Sequence, residues 1–430
     1  MDEPAALTPF AFSGHRRLVV DADCDFEPPV RFVAIRDLEQ RLHDLLAAPT
    51  GSPPLAEVAR GARTVAIAVP DASRPCPTSL LLPGLVEHLN RGGVTDRQIT
   101  VLVACGLHRL TTTEEKAALV GPQLAARLRV EDAQGQQPDL LDLGTTGDGC
   151  PIVLKSSVAN SDLVMSLGVV EPHLYAGFSG GLKTVAIGCA GEPTIAWTHD
   201  AVFLDRPDIR VGRLNDNPFR LALAEIAART RLRFAVNVVV DDEGRVAGLT
   251  AGDPAAAQRS LVEAHGRAWW RRRGDQYDLV VAGVPAPKHE GLYHASRAAT
   301  YLTLVDRPVV AQGGLIAVCS DLPLGVGDGP GEMNFGRLLA AAARPEELID
   351  RARRETLGPG GQRAYMVAKV LRGYRLGVIG AADPALLEPL GLLPFATVDE
   401  AIAEAQRRRG SEARVLVVAD AFDTLVEQDR

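Results

Sequence analysis

Three stretches of this 430-residue chain gather residue types able to bind anions, move protons or form a covalent bond. Pro70-Asp71-Ala72-Ser73-Arg74-Pro75-Cys76-Pro77 is stiffened by its prolines, which fix φ and restrict the residue before them, so it can hold a carboxylate and a guanidinium at a set separation. The planar fork of Arg74 suits a carboxylate or a phosphate; the plainer reading is an Asp-to-Arg pair that orders a turn before a helix. Cys105-Gly106-Leu107-His108-Arg109-Leu110-Thr111 offers one histidine, a type that taken alone more often serves structure. The densest stretch runs from Glu171-Pro172-His173-Leu174-Tyr175-Ala176-Gly177-Phe178-Ser179-Gly180-Gly181-Leu182-Lys183-Thr184 on to Gly188, Gly191 and His199. Glycines 177, 180 and 181 allow backbone to approach a ligand and leave amides for phosphate, above all if a helix starts near Gly181. A loose loop ending in a solvated lysine would not account for histidines on both sides of Lys183.

These residues must be positioned by regular elements. Short Val- and Ile-rich runs alternate with longer helical patterns, which predicts an α/β fold with mainly parallel sheets. Strands are expected over 64–69, 99–104, 162–170, 234–240, 278–283, 314–319, 376–379 and 414–418. Helices are expected over 77–90, 113–119, 218–229, 254–272, 292–305, 337–342, 345–356 and 398–408. Ligands of open α/β sheets bind beyond the carboxyl ends of strands, and each of the three stretches directly follows an expected strand. If the first two strands are parallel, Asp71, Arg74 and His108 share one sheet edge. The segment Trp269-Trp270-Arg271-Arg272-Arg273-Gly274 places a domain junction near residue 274. Residues 1–274 would then form an N-terminal cofactor-binding and catalytic domain and 275–430 a C-terminal α/β domain completing the substrate site, with the active site in the cleft between them.

Composition narrows the class. With 46% hydrophobic and 23% charged residues the chain can bury a sizeable core. A net charge of -8 with no basic block argues against nucleic acid as a partner. The apolar runs fall far short of the ~20 residues of a membrane helix, and MDEPAALTPF lacks the pattern of a signal peptide. A cytoplasmic protein with no membrane association is expected. Six scattered cysteines, with no C-x-x-C, suit reduced thiols better than a disulfide scaffold or a zinc ribbon. Only five lysines stand beside 41 arginines; where lysine is kept, the amine itself can matter, because a guanidinium is no nucleophile.

Two phosphate or metal readings of the third stretch can be weighed. It approaches the Walker A pattern, but Leu182 stands where a glycine should precede the lysine, and no acidic strand end for magnesium follows. His108, His173 and His199 would suit a zinc-dependent hydrolase, although their spacing fits no zinc-hydrolase signature and Lys183 is left without a role.

Taken together, D-A-S-R-P at 71–75, G-L-H-R at 106–109 and E-P-H-L-Y-A-G-F-S-G-G-L-K at 171–183 resemble the nickel-dependent lactate racemase family of 2-hydroxyacid racemases and epimerases, over nearly the whole chain. The resemblance implies a nickel pincer nucleotide, a pyridinium-3-thioamide-5-thiocarboxylic acid mononucleotide carrying nickel, which other proteins synthesise. It implies Lys183 as the covalent tether, His199 as the protein ligand to nickel, His108 and His173 as the two acid/base groups, and Asp71 with Arg74 beside cofactor and substrate. Gly177, Gly180 and Gly181 would let the chain pass close to the nucleotide. The implied reaction is proton-coupled hydride transfer through a 2-ketoacid. That route avoids forming a carbanion beside an ionised carboxylate, and two histidines serve because each antipode presents its hydroxyl on a different side.

The second half departs from the lactate-type pattern. Where that pattern has a Tyr-Gln pair and a lysine three residues beyond the Gln, this chain has Tyr293-His294 and Arg297, which one helix would put on a shared face, with Lys288 and His289 nearby. The family's later tryptophan is replaced near Gln362. This cationic capacity suggests a substrate with a second carboxylate, malate first, bound by Arg74, Tyr293, His294 and Arg297; the plainer reading is a solvated helix face or a domain-closing pair. A non-catalytic cofactor-binding homologue remains the alternative within the same likeness.

Overall fold

The computed structural model describes residues 8–429. The chain folds as α/β, and the expected strands form two sheets. In the first, the order is Val246–Gly252, Leu232–Val240, Leu163–Val169, Val65–Pro70, Ile99–Gly106 and Arg129–Gln134. All neighbours are parallel except the Leu232–Val240/Val246–Gly252 pair. Every residue of Val65–Pro70 and of Leu163–Val169 is buried, as expected of parallel strands covered on both faces. Their apolar character, broken only by the buried Ser166, is therefore a property of position in the sheet.

The second sheet centres on Tyr277–Pro285, which runs parallel to Val310–Cys319 on one side and Val415–Val418 on the other. Arg375–Ile379 and Leu393–Phe395 extend it in parallel. Its remaining strands come from the start of the chain: Phe10–Gly14 pairs with the end of Tyr277–Pro285 and, antiparallel, with Arg16–Val19, and Asp25–Glu27 pairs with Val415–Val418. A boundary drawn only near 274 does not anticipate this return, because short strands at an N-terminus carry no mark of the sheet they will join.

The junction also differs in detail. The helix expected over 254–272 stops at Trp269, and Trp270–Arg273 is a strand parallel to Leu425–Gln428. Its arginines alternate as a strand requires: Arg271 and Arg273 reach the buried Glu27, while Arg272 pairs with the buried Glu427. The helix expected over 292–305 is two pieces, Leu292–Ala295 and Arg297–Thr303, broken at Ser296. Helix Gly361–Gly373 was not anticipated. It buries Arg363 through Ala368 without interruption, so it lacks the amphipathic period by which a helix is recognised. All six cysteines are free, and no helix among the described residues is long and apolar enough to cross a membrane.

Candidate active site

Because Val65–Pro70, Ile99–Gly106 and Leu163–Val169 are parallel neighbours, the three stretches emerge at one edge of the first sheet. His108 Nδ1 lies 2.7 Å from Asp71 Oδ2. The other Asp71 oxygen accepts from the Ser73 amide at 3.2 Å and the Ser73 hydroxyl at 2.5 Å. Burial would raise the Asp71 carboxyl, but the hydrogen bond and charge of His108, with Ser73, hold it below its ordinary value. An ionised Asp71 fixes the Nδ1–H tautomer of His108 and leaves Nε2 with its lone pair.

His173 is held in the opposite sense. Its Nδ1 accepts from the amides of Tyr175 and Ala176 at 3.3 and 3.2 Å, so the neutral ring carries its proton on Nε2. Burial, followed by the charges of Lys183, Arg74 and Arg297, keeps His173 neutral well below the usual histidine range. His199 ends helix Glu192–Thr198; its Nδ1 lies 2.9 Å from the Ile195 carbonyl oxygen, which can only accept. Nε2 is thus left as a free donor atom, and burial pushes the imidazole down to about 4. Tyr175 and Phe219 lie between the two rings, with Tyr175 6.0 Å from His173 and 5.7 Å from His199, and Phe219 6.4 and 5.6 Å away.

Lys183 stands at the start of the short helix Lys183–Ala186. Burial, then the nearby charge of Arg74, lowers its ammonium to about 7, with Glu171 opposing. At neutral pH a large share of this amine is unprotonated, the form that attacks an acyl centre. Lys183 should therefore react faster near pH 7 than Lys116, Lys155, Lys288 or Lys369 with a small acylating reagent used in limiting amount. Peptide mass mapping reads this directly, and modification of Lys183 no earlier than the others would contradict it.

Arg74 pairs with Glu171, whose carboxyl stays ionised because Arg74, Lys288 and Arg297 outweigh its burial. Glu171 is a site residue that sequence reasoning quoted without assigning. The glycines differ from expectation. A Cβ on Gly177 would sit 2.0 Å from the Arg213 carbonyl oxygen, and Gly181 gives its amide to Asn237 Oδ1 at 2.7 Å. Gln258 Nε2 also donates to the Ser179 carbonyl. These two glycines fit the loop against its own protein, so the expected supply of free amides for a phosphate is not formed at Gly181. The lone polar residue in the apolar run Phe234-Ala235-Val236-Asn237-Val238 was the available signal.

The second half closes over this edge. Tyr301 donates to the Pro172 carbonyl oxygen at 3.0 Å, and Tyr175 donates to Gln362 Oε1 at 3.1 Å. Gln362 Nε2 in turn lies 3.4 Å from the Tyr293 hydroxyl. His294 Nε2 is 3.1 Å from Glu332 Oε1, and burial together with Arg297 pushes the imidazole down to about 4. It is consequently neutral at working pH and adds no cation. Lys288 sits 4.6 Å over the Phe422 ring, with burial offset by Glu171, Asp423 and Asp420, which hold it protonated. His289 Nε2 lies 3.7 Å from Asp321. The cationic capacity expected from His294 thus falls to Arg297, whose Nε is buried without a partner, and to Arg363, which sequence reasoning missed.

A three-imidazole zinc centre is not formed: among the described residues no group of three or more His, Cys, Asp and Glu side chains is placed to hold a metal ion. His108 sits largely exposed beside Asp71, whereas His173 is buried.

Residues 22–212 match the family model described as the lactate racemase N-terminal domain. The chain is 29% identical over 398 residues to a lactate racemase of Lactiplantibacillus plantarum, covering 88% of each chain. It is 24% identical over 386 residues to that of Thermoanaerobacterium thermosaccharolyticum, again covering 88% of each. The fold is similar to the lactate racemase apoprotein from T. thermosaccharolyticum, with a TM-score of 0.86 at 23% identity over 97% of this chain and 99% of the other. A Thermotoga maritima protein gives a TM-score of 0.68 at 17% identity over 91% and 98%.

Proposed function

We propose that the chain, similar to lactate racemases over most of its length, is an isomerase that racemises or epimerises a 2-hydroxyacid using a nickel pincer nucleotide tethered to Lys183. The observation that carries this reading is the half-buried amine of Lys183, lowered to about 7, whose charge acts on both the buried His173 and the half-buried His199. The donor set fits the group. Lys183 is available as a neutral nucleophile, and His199 offers an unprotonated Nε2 whose orientation is fixed from behind by the Ile195 carbonyl, the usual arrangement of a metal-binding imidazole. Nickel accepts imidazole alongside sulfur donors. When bound, the nucleotide supplies a two-electron acceptor that takes the pair of the substrate C–H bond and gives it back.

The chain's own residues govern protons and position. His108, oriented by Asp71, is the base that removes the substrate hydroxyl proton at Nε2 and returns it there. His173 serves the antipode from the buried side. To accept a proton at Nε2 it must first move its own proton to Nδ1, releasing the two amide contacts, both long at 3.2 and 3.3 Å. Arg297 holds the second carboxylate of a dicarboxylate substrate, and the aromatic wall of Tyr175 and Phe219 keeps water from the reacting carbon.

Among hydroxyacids, malate is proposed first. Arg297→Ala should lower kcat/KM for malate far more than for lactate, on the order of 10- to 100-fold in the ratio, since a hydrogen-bonded ion pair is worth ~1.5–3 kcal/mol. Equal losses on the two substrates would count against a second carboxylate. The reading as a whole is tested on protein matured with the cofactor-synthesis proteins: intact mass should carry a Lys183 adduct, and a solution of one hydroxyacid antipode should lose optical rotation. An adduct without any loss of rotation across a hydroxyacid panel would favour the non-catalytic homologue.

A further inference from the structure

Helix Gly361–Gly373 carries a guanidinium that nothing among the described residues neutralises. Arg363 is 4% exposed, and both its Nε and its Nη1 are buried without a hydrogen-bond partner. No ion pair to it is formed among the described residues, and the titratable groups that act on it are Tyr175, Tyr293, Tyr301 and the like-charged Arg297, with no carboxylate among them. Arg297, on the facing helix, also has its Nε buried and unpartnered. A buried guanidinium with unpaired N–H groups is costly unless an anion completes it, and two of them side by side repel each other.

Their place is set by the hydrogen-bond chain described above. Gln362, next to Arg363, bridges the hydroxyls of Tyr175 and Tyr293, and the Arg363 Cζ lies 6.0 Å from the Tyr293 ring. Tyr175 in turn packs against His173 and His199. Arg363 is therefore linked through Gln362 and Tyr175 to the two site histidines. We propose that Arg363, with Arg297, receives a second carboxylate on the substrate side chain, so that the protein takes 2-hydroxydicarboxylates in preference to monocarboxylates. This deepens the racemase reading and rests on it. A carboxylate of the substrate and a phosphate of the nucleotide offer the same anionic oxygens, and the experiment separates them.

Wild-type holoenzyme, Arg363→Met and Arg363→Lys are compared by kcat/KM on malate and lactate, by intact mass, and by calorimetric titration with succinate and butyrate, which cannot react. Arg363→Met should lower the malate-to-lactate ratio of kcat/KM roughly 10- to 100-fold, keep the adduct mass, and weaken succinate relative to butyrate. Arg363→Lys should recover part of the ratio, because charge remains while the two-pronged geometry is lost. Equal loss on both substrates, a wild-type preference for lactate, or loss of the adduct in Arg363→Met would each overturn the proposal, the last by assigning Arg363 to the nucleotide. If the wild type racemises no hydroxyacid, the racemase reading fails on its own. The succinate preference and its loss in Arg363→Met would then still support the receptor, and a missing preference would sink it.

Discussion

Lys183→Ala is expected to abolish both the covalent adduct and racemisation. Nothing else in the site can replace the amine. Arg74 is paired with Glu171, and a guanidinium does not lose its proton in a protein. Lys288 is held protonated beside Glu171 and the acidic pair Asp420 and Asp423. Lys183→Arg should fail equally, although it keeps a positive charge, and that variant separates a covalent role from an electrostatic one. The neutral amine is supplied by burial and by Arg74, which bring its proton affinity to about 7; a folded-state value lowered from 10.5 makes the free amine available from neutral pH upward. Intact mass and chiral chromatography read the two outcomes. A Lys183→Ala protein that racemises without added cofactor would remove the tether from the mechanism.

The second large effect concerns the histidines. His108→Ala and His173→Ala should each lower turnover by roughly 10²–10⁴, the usual worth of a positioned acid or base, while leaving the Lys183 adduct in place. Unchanged racemisation in either variant would strike that histidine from the scheme. Asp71→Asn adds a sharper comparison. An amide in place of the carboxylate no longer dictates that Nδ1 carries the proton, so the His108 base is present but often in the wrong tautomer. Its turnover should fall in the same range, with the adduct retained. Because His108 holds the Asp71 carboxyl below its ordinary value, ionised Asp71 persists to lower pH than a free aspartate, and the tautomer lock should hold throughout the neutral range. The structure adds an asymmetry between the two imidazoles: His108 presents a lone pair at once, whereas His173 must first exchange its proton between ring nitrogens.

Local residue pattern alone determined the α/β class, the central strands of the two sheets, and the three loops that meet at a sheet edge. Val65–Pro70 and Leu163–Val169 are legible because parallel strands buried on both faces are apolar along nearly their whole length, and prolines and glycines mark where they stop. The motif residues were legible for the same reason: strand ends are where parallel sheets present side chains. Tertiary structure decided the rest. Helix Gly361–Gly373 is buried along most of its length and so carries no two-sided pattern, which hid Arg363. Burial and the nearby charge of Arg297 outweigh Glu332 and leave His294 neutral, although spacing alone marked it as cationic. Gly177 and Gly181 are spoken for by Arg213 and Asn237, partners separated from them by 36 and 56 residues. A sequence specifies which groups exist and roughly which way a local element turns them; charge state and availability depend on what folds against them, and those neighbours come from distant parts of the chain.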